Sequence, residues 1–220
     1  PETVYDSLIE SIEEYLPSLH KYYGLRKKAL KKDKQYMWDV SINLEKEFDQ
    51  KYPYEKAREL ITEGLKPLGE DYIEVLNRGF DNRWVDVYPR EGKAGGAYSW
   101  GSFDTDPYIL MNYTDTLDSM FTLAHEFGHS MHSYYSKSDN DYLYAQYKIF
   151  VAEVASTFNE LTLLDYLLKN VKNKNEKIYI LNYYINMFIG TVFRQTMFAE
   201  FEKNTHLEVE AGNALTADDF

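Results

Sequence analysis

Apolar and polar positions along the chain keep a helical period at both ends and lose it in the middle. Residues 2–34 mix the two classes as a helix does, with interruptions predicted near Pro17 and Gly24. Trp38–Leu44 follows no decided period. From Tyr54 to Arg78 the apolar positions Ala57, Leu60, Ile61, Leu65, Leu68, Ile73 and Leu76 recur at helical intervals, and Gly64 and Pro67 offer a place for a break. Residues 84–113 differ: Val85–Tyr88, Ala97–Trp100 and Tyr108–Tyr113 read as short strands between Gly- and Asp-containing turns. Helical spacing then returns. Thr114-Asp115-Thr116 is placed to cap a helix reaching about Lys137, with Asp118 in its first turn, where an acid suits the helix dipole. A second helix is expected over Tyr142–Lys169, a loop over the Asn- and Lys-rich Lys169–Lys177, and a third helix over Ile178–Lys203. The pattern therefore predicts a mainly α fold with a small β-sheet just ahead of the helix that starts after Thr116.

That helix contains His125-Glu126-Phe127-Gly128-His129, an H-E-x-x-H arrangement. Residues four apart lie on one helix face, so His125 and His129 can aim two imidazoles at one tetrahedral zinc. Glu126 projects beside them, where a carboxylate can take a proton from a zinc-activated water. Met120, Phe121, Leu123, Ala124, Phe127 and Met131 surround the motif and predict a largely buried helix, in which polar side chains need partners. A solvated, accidental motif is the competing reading.

Catalytic zinc usually has three protein ligands and an open position. His132 is nearest in sequence, but it lies roughly 10 Å along the axis from His125 at about 1.5 Å per residue, too far to share one ion. It is expected instead beside the ligands or facing substrate. Glu153 is the preferred third ligand, because Ile149–Phe158 holds no other charge and an isolated carboxylate there would be costly to bury. Glu160, seven residues on, is placed to accept the N–H of a ligand histidine and fix its tautomer. Asp139 and Asp141 sit in a turn-like stretch and are poor ligand candidates.

The run Thr122–His132 with Phe150–Ser156, and upstream Gly95–Tyr98 with Pro107–Tyr113, resembles the oligoendopeptidase F branch of the thimet oligopeptidase family. The resemblance covers most of the chain and is strongest from about residue 80 to 165. It implies a zincin-like helical catalytic region, one zinc per chain on His125, His129 and Glu153, Glu126 as general base, and cleavage of short oligopeptides rather than folded proteins. Family members carry a histidine- and tyrosine-rich segment after the zinc site that this chain does not reach, and the chain begins at Pro1 without a Met. A piece of one catalytic domain is therefore expected, in which zinc binding is the property to survive and full catalysis is not assured.

Composition narrows the alternatives. A net charge of −12 argues against nucleic acid, whose phosphates need a basic surface. No apolar run approaches membrane-spanning length and no signal-peptide pattern opens the chain. The absence of cysteine fits a reducing compartment, the cytoplasm by default, and removes thiolates from the ligand choices. The 21 tyrosines suit a peptide-binding cleft and helix packing equally. Gly95, Gly96, Ala97 and Tyr98 are candidate substrate-binding residues, since backbone with so little side chain can approach a ligand and a nearby strand edge can accept a peptide; a flexible hairpin loop is the plain alternative. Two other classes stay open at this point, a non-catalytic zinc-binding helical module and an interaction domain. Oligomeric state is not encoded in any recognisable way.

Overall fold

A computed structural model describes residues 2–42, 44 and 50–219. Seven α-helices carry most of the described chain: α1 (Glu2–Ala29), α2 (Tyr54–Gly64), α3 (Glu70–Asp81), α4 (Leu117–Asp139), α5 (Ala152–Asn170), α6 (Lys174–Phe188) and α7 (Arg194–Glu210). Three short strands, β1 (Val85–Asp86), β2 (Tyr98–Trp100) and β3 (Tyr108–Leu110), form one sheet in the order β1-β3-β2. The chain divides into two compact units, Pro1–Glu47 with Leu181–Phe220, and Phe48–Ile180. The division falls within α6. No helix is long and apolar enough to cross a membrane among the described residues.

In the unit Phe48–Ile180, α4 is the hub. Thr116 caps it, accepting a hydrogen bond from the Ser119 N–H at 3.1 Å. Its buried residues include Leu117, Met120, Phe121, Leu123, Ala124, Phe127 and Met131. These positions cover one broad face of the helix, roughly half its circumference, and the buried Ser119, Glu126 and Ser130 widen it. α5 covers one side, α3 another and the sheet a third. Three strands of two or three residues have little stability of their own; Ile109, buried from the middle of β3, ties them to this core. β3 pairs parallel with β1 (Val85 opposite Ile109) and antiparallel with β2 (Ser99 opposite Ile109). Gly64 and Gly79 allow close packing, since a Cβ would stand 2.9 Å from Leu163 at the first and 2.7 Å from Trp84 at the second.

In the other unit, α1 packs along α7, with Lys203 on Asp6 at 2.8 Å. Arg26 is buried and donates from Nη2 to the carbonyls of Val40 (2.9 Å) and Ile42 (2.7 Å), and more distantly to that of Asp39. It thereby ties the 3₁₀ turn Met37–Ser41 to α1. The undecided segment Trp38–Leu44 overlaps this turn, and its Asn43 lies outside the described residues.

Several boundaries differ from those expected. α1 runs unbroken through Pro17 and Gly24: proline forfeits one hydrogen bond, glycine costs about 1 kcal/mol, and Gly24 faces open space. The break at Gly64–Pro67 is real, a 3₁₀ turn at Lys66–Leu68 separating α2 from α3. α5 begins at Ala152 after a 3₁₀ turn, ten residues later than expected from Tyr142. Residues 142–148 instead lie back against α4: Ser136 Oγ donates to the Ala145 carbonyl at 2.6 Å, and the Tyr147 ring stacks on His132. The predicted loop Lys169–Lys177 shrinks to 171–173, because the Asn173 side chain accepts the Asn175 N–H at 2.8 Å and starts α6. The single helix expected over Ile178–Lys203 is two, joined by a π-helical turn at Ile189–Phe193.

Candidate metal centre

His125, Glu126 and His129 lie in the middle of α4, and Glu153 in the first turn of α5. The approach of the two helices brings them together. Gly128 sits at the crossing, where a Cβ would fall 2.5 Å from Ser156 Cα and 2.8 Å from the Ala155 carbonyl oxygen. Only glycine permits that contact. The buried Asn159 fixes it further, donating to the Ala124 carbonyl at 3.0 Å and accepting from Tyr72 Oη at 2.8 Å. Ser156 Oγ donates to Glu153 Oε2 at 2.8 Å and steadies the carboxylate one turn away.

Three ligand-type atoms converge. His125 Nε2 and His129 Nε2 are 3.1 Å apart, and Glu153 Oε2 lies 3.2 Å from the first and 3.4 Å from the second. Ligands about 2.0–2.1 Å from a tetrahedral ion stand about 3.3–3.4 Å from one another, so this triangle has the size a metal ion requires. His125, His129 and Glu153 are the group that could hold a metal ion among the described residues. Asp139, the last residue of α4, and Asp141, just beyond it, lie outside this group.

The surrounding side chains direct the triangle. Glu160 is buried and hydrogen-bonds His125 Nδ1, which leaves Nε2 facing His129 and Glu153. The His129 ring is held by the Ala152 backbone. Burial alone would lower the pKa of His125, but the hydrogen bond and charge of Glu160, with Glu126 and Glu153, outweigh it and the pKa is raised. At His129 the balance reverses: burial and then the charge of His125 lower the pKa, against Glu153 and the Ala152 backbone bond. Glu126 is buried, with Oε2 lacking a hydrogen-bond partner, and its pKa is raised above the ordinary glutamate value. Burial is the main cause; His125 opposes it, the charge of Glu153 reinforces it, and the Ser99 backbone N–H directed at the carboxylate opposes it.

His132 is not in the triangle. It lies face to face with Tyr147, ring centroids 3.6 Å apart, and burial lowers its pKa. Glu153 is 65% exposed, and most of the apolar residues around it, including Ile149, Phe150 and Val154, are exposed too. The cost of burial, which singled it out in the sequence, is not what holds it in place; the helix crossing is. Gly95 and Gly96 stand in open space, Gly96 with φ of +82°, and Ala97 and Tyr98 lead into β2. This loop is held from below, since Asn112 Nδ2 donates to the carbonyls of Ala94 and Gly96, each at 2.9 Å. Ser99, absent from the sequence candidates, joins β2 to α4 through Ser130 Oγ at 2.8 Å. Gly128, Ser130, Ser156 and Asn159 were missed too; small or amide residues on otherwise apolar helix faces were the available signal.

Two histidines and a carboxylate offered to one point by crossing helices, with a second carboxylate buried beside them, form a donor set that could hold a metal ion. Residues 1–220 match the sequence model of peptidase family M3, and the chain belongs to that family. It is 50% identical to oligopeptidase PepF of Bacillus subtilis over 216 residues, which are 98% of this chain and 32% of PepF. It is 45% identical to the chromosomal oligoendopeptidase F of Lactococcus lactis subsp. cremoris over 219 residues, 99% of this chain and 36% of that protein. The crystal structure of oligoendopeptidase-F from Enterococcus faecium superimposes with a TM-score of 0.65 at 36% identity, over 99% of this chain and 31% of that one. The chain thus spans about a third of the length of the curated relatives it matches. The mainly helical architecture with its small sheet is that of M3 oligoendopeptidases.

Proposed function

We propose that this chain is part of the catalytic domain of a cytoplasmic zinc endopeptidase that cleaves short oligopeptides and holds one zinc ion per chain. The observation that carries the reading is the triangle of His125 Nε2, His129 Nε2 and Glu153 Oε2, with sides of 3.1, 3.2 and 3.4 Å. Nitrogen and carboxylate donors of this kind suit zinc, and three of them leave a position open, whereas structural zinc sites usually close with four. When bound there, zinc would act as a Lewis acid toward the scissile carbonyl and acidify a water molecule.

The remaining chemistry belongs to the chain's own groups. Glu126, with Oε2 unpartnered and its proton affinity raised by burial, takes the proton of the attacking water and delivers it to the leaving amine. Glu160 holds His125 in the tautomer that presents Nε2. His132, stacked on Tyr147, steadies the turn of α4 that follows His129. The edge of β2 receives the peptide backbone. Residues along a paired strand alternate in direction; the Ser99 N–H points at Glu126, so the backbone of Ser99, and that of Ala97 two residues earlier, is turned away from β3 and toward the catalytic carboxylate. Gly95, Gly96, Ala97 and Tyr98 lie where an extended substrate would continue along that edge. The cysteine-free sequence supports the cytoplasm.

Paired substitutions in the complete enzyme test this. Glu126→Gln should keep about one zinc per chain and lose hydrolysis of an end-blocked peptide by about 10²–10⁴-fold. Glu153→Ala should lose zinc at low free-metal concentration. Unchanged turnover in the first, or full zinc occupancy in the second, overturns the corresponding role. A protein that binds zinc tightly yet cleaves no peptide would instead be a metal-crosslinked helical module.

A further inference from the structure

β2 presents two different faces. Ser99 points toward α4, where it meets Ser130. Its neighbours Tyr98 and Trp100 therefore point to the opposite face of the sheet, where they are 51% and 76% exposed. In the paired strand Tyr108 stands opposite Trp100 and Leu110 opposite Tyr98. Tyr98, Trp100, Tyr108 and Leu110 line one open cleft of about 670 Å³. Three exposed aromatic rings and a half-buried leucine thus form a shelf on one face of a sheet of eight residues, and they border the strand edge that turns toward Glu126.

From this we infer that the shelf is a specificity subsite for the substrate. The inference rests on the proposed peptidase reading and deepens it. A peptide laid along the β2 edge as a further strand alternates its side chains between the two faces. The residue opposite Ser99 points to the side of α4 and the metal-ligating triangle. The residues before and after it point to the shelf side, next to Tyr98 and Trp100, at the 4.5–5.5 Å Cβ separation typical of cross-strand neighbours. Small or charged side chains would leave the shelf wet; aromatic and large aliphatic ones would cover it. The substrate class selected is therefore a peptide with bulky apolar side chains at two positions separated by one residue. The loop Ala94–Gly96, pinned by Asn112, and the hairpin beyond Trp100, pinned by Lys137 Nζ on the Ser102 and Thr105 carbonyls at 2.9 and 2.7 Å, keep the shelf in place without substrate.

The test uses the complete enzyme and end-blocked peptides in which phenylalanine is moved one position at a time through a serine-rich scaffold. The ratio of kcat/KM for each peptide to that of its alanine counterpart is the readout. The wild type should favour phenylalanine about three- to tenfold, the size of an aromatic contact, at two positions two residues apart. Trp100→Ala should flatten that preference at one or both positions, and Trp100→Phe should restore it. Should Trp100→Ala lose its bound metal, Trp100→Thr, a strand-forming residue without the ring, replaces it. A wild type with no such paired preference, or a metal-replete variant that keeps it in full, overturns the shelf while leaving the peptidase reading intact. A wild type that cleaves none of the peptides overturns both.

Discussion

α4 and α5 on one hand, and α1 and α7 on the other, are contacting helix pairs with opposite fates, the second pair being the more highly charged in sequence. α4 buries a broad apolar face and meets α5 so closely that Gly128 touches the Ser156 backbone. α1 leaves Val4, Leu8, Tyr15 and Leu25 exposed, and α7 leaves Met197, Phe198, Phe201, Leu207 and Val209 exposed. Their joining ion pair, Lys203 with Asp6, is itself solvent-accessible and of the kind that contributes at most about 1 kcal/mol. The difference lies in what each contact excludes. Small residues and buried amides let two backbones approach and lock their relative position, which a metal site needs to within tenths of an ångström. Long side chains at a contact give adhesion without that precision.

The comparison can be broken most forcefully at Gly128. Gly128→Ala places a methyl group on backbone atoms that cannot swing aside, so α5 must move; we expect loss of about 1–3 kcal/mol or more in unfolding free energy and loss of bound metal, read by denaturation and metal analysis. Retained metal at full affinity would mean that the crossing does not set the triangle.

Glu160→Gln is expected to act next most strongly, weakening metal affinity by about 10–100-fold without unfolding the protein. It also separates the two histidines. In metal-free wild type the pKa of His125 is raised above 6.5 and that of His129 lowered. The His125–Glu160 pair therefore stabilises the metal-free fold below about pH 6.5 and loses that contribution as pH rises through the folded pKa of His125. Metal retention has the opposite sign, falling as pH drops and protons compete for Nε2. In Glu160→Gln the His125 titration followed by NMR should move down; an unmoved midpoint would remove Glu160 as the cause.

Arg26→Met sharpens the contrast from the other side. It strands the Val40 and Ile42 carbonyls at a cost of about 1–3 kcal/mol, so amide exchange in the turn Met37–Ser41 should quicken by about tenfold or more, while the metal content stays at the wild-type value. Metal loss in this variant would show that the two regions are energetically tied.

Much of α4 was legible because its signals are local. The Thr116 cap, the apolar stripe and the four-residue spacing of His125 and His129 each follow from a few neighbouring residues. α5 shows the limit. It starts ten residues later than its pattern predicts, because residues 142–148 form a turn and an irregular stretch held on Ser136 and His132 of α4, and a 3₁₀ turn at Ile149–Val151 precedes the helix. Glu153 was singled out by supposed burial, whereas it is exposed at the mouth of the crossing.

The sequence by itself determined the helical class, the small sheet, the pair of histidines on one face and the carboxylate between them, since helix and strand periods and i, i+4 neighbours are properties of short chain segments. The sequence also proposed Glu153 and Glu160 as partners of those histidines, but tertiary structure decided how they meet them, and it alone decided that Ser99 brings a strand edge to Glu126. Those meetings join residues separated by roughly 25–35 positions, and they depend on how closely two backbones can approach. That is a matter of packing at Gly128, Ser156 and Asn159, on which no single segment of the chain carries the information.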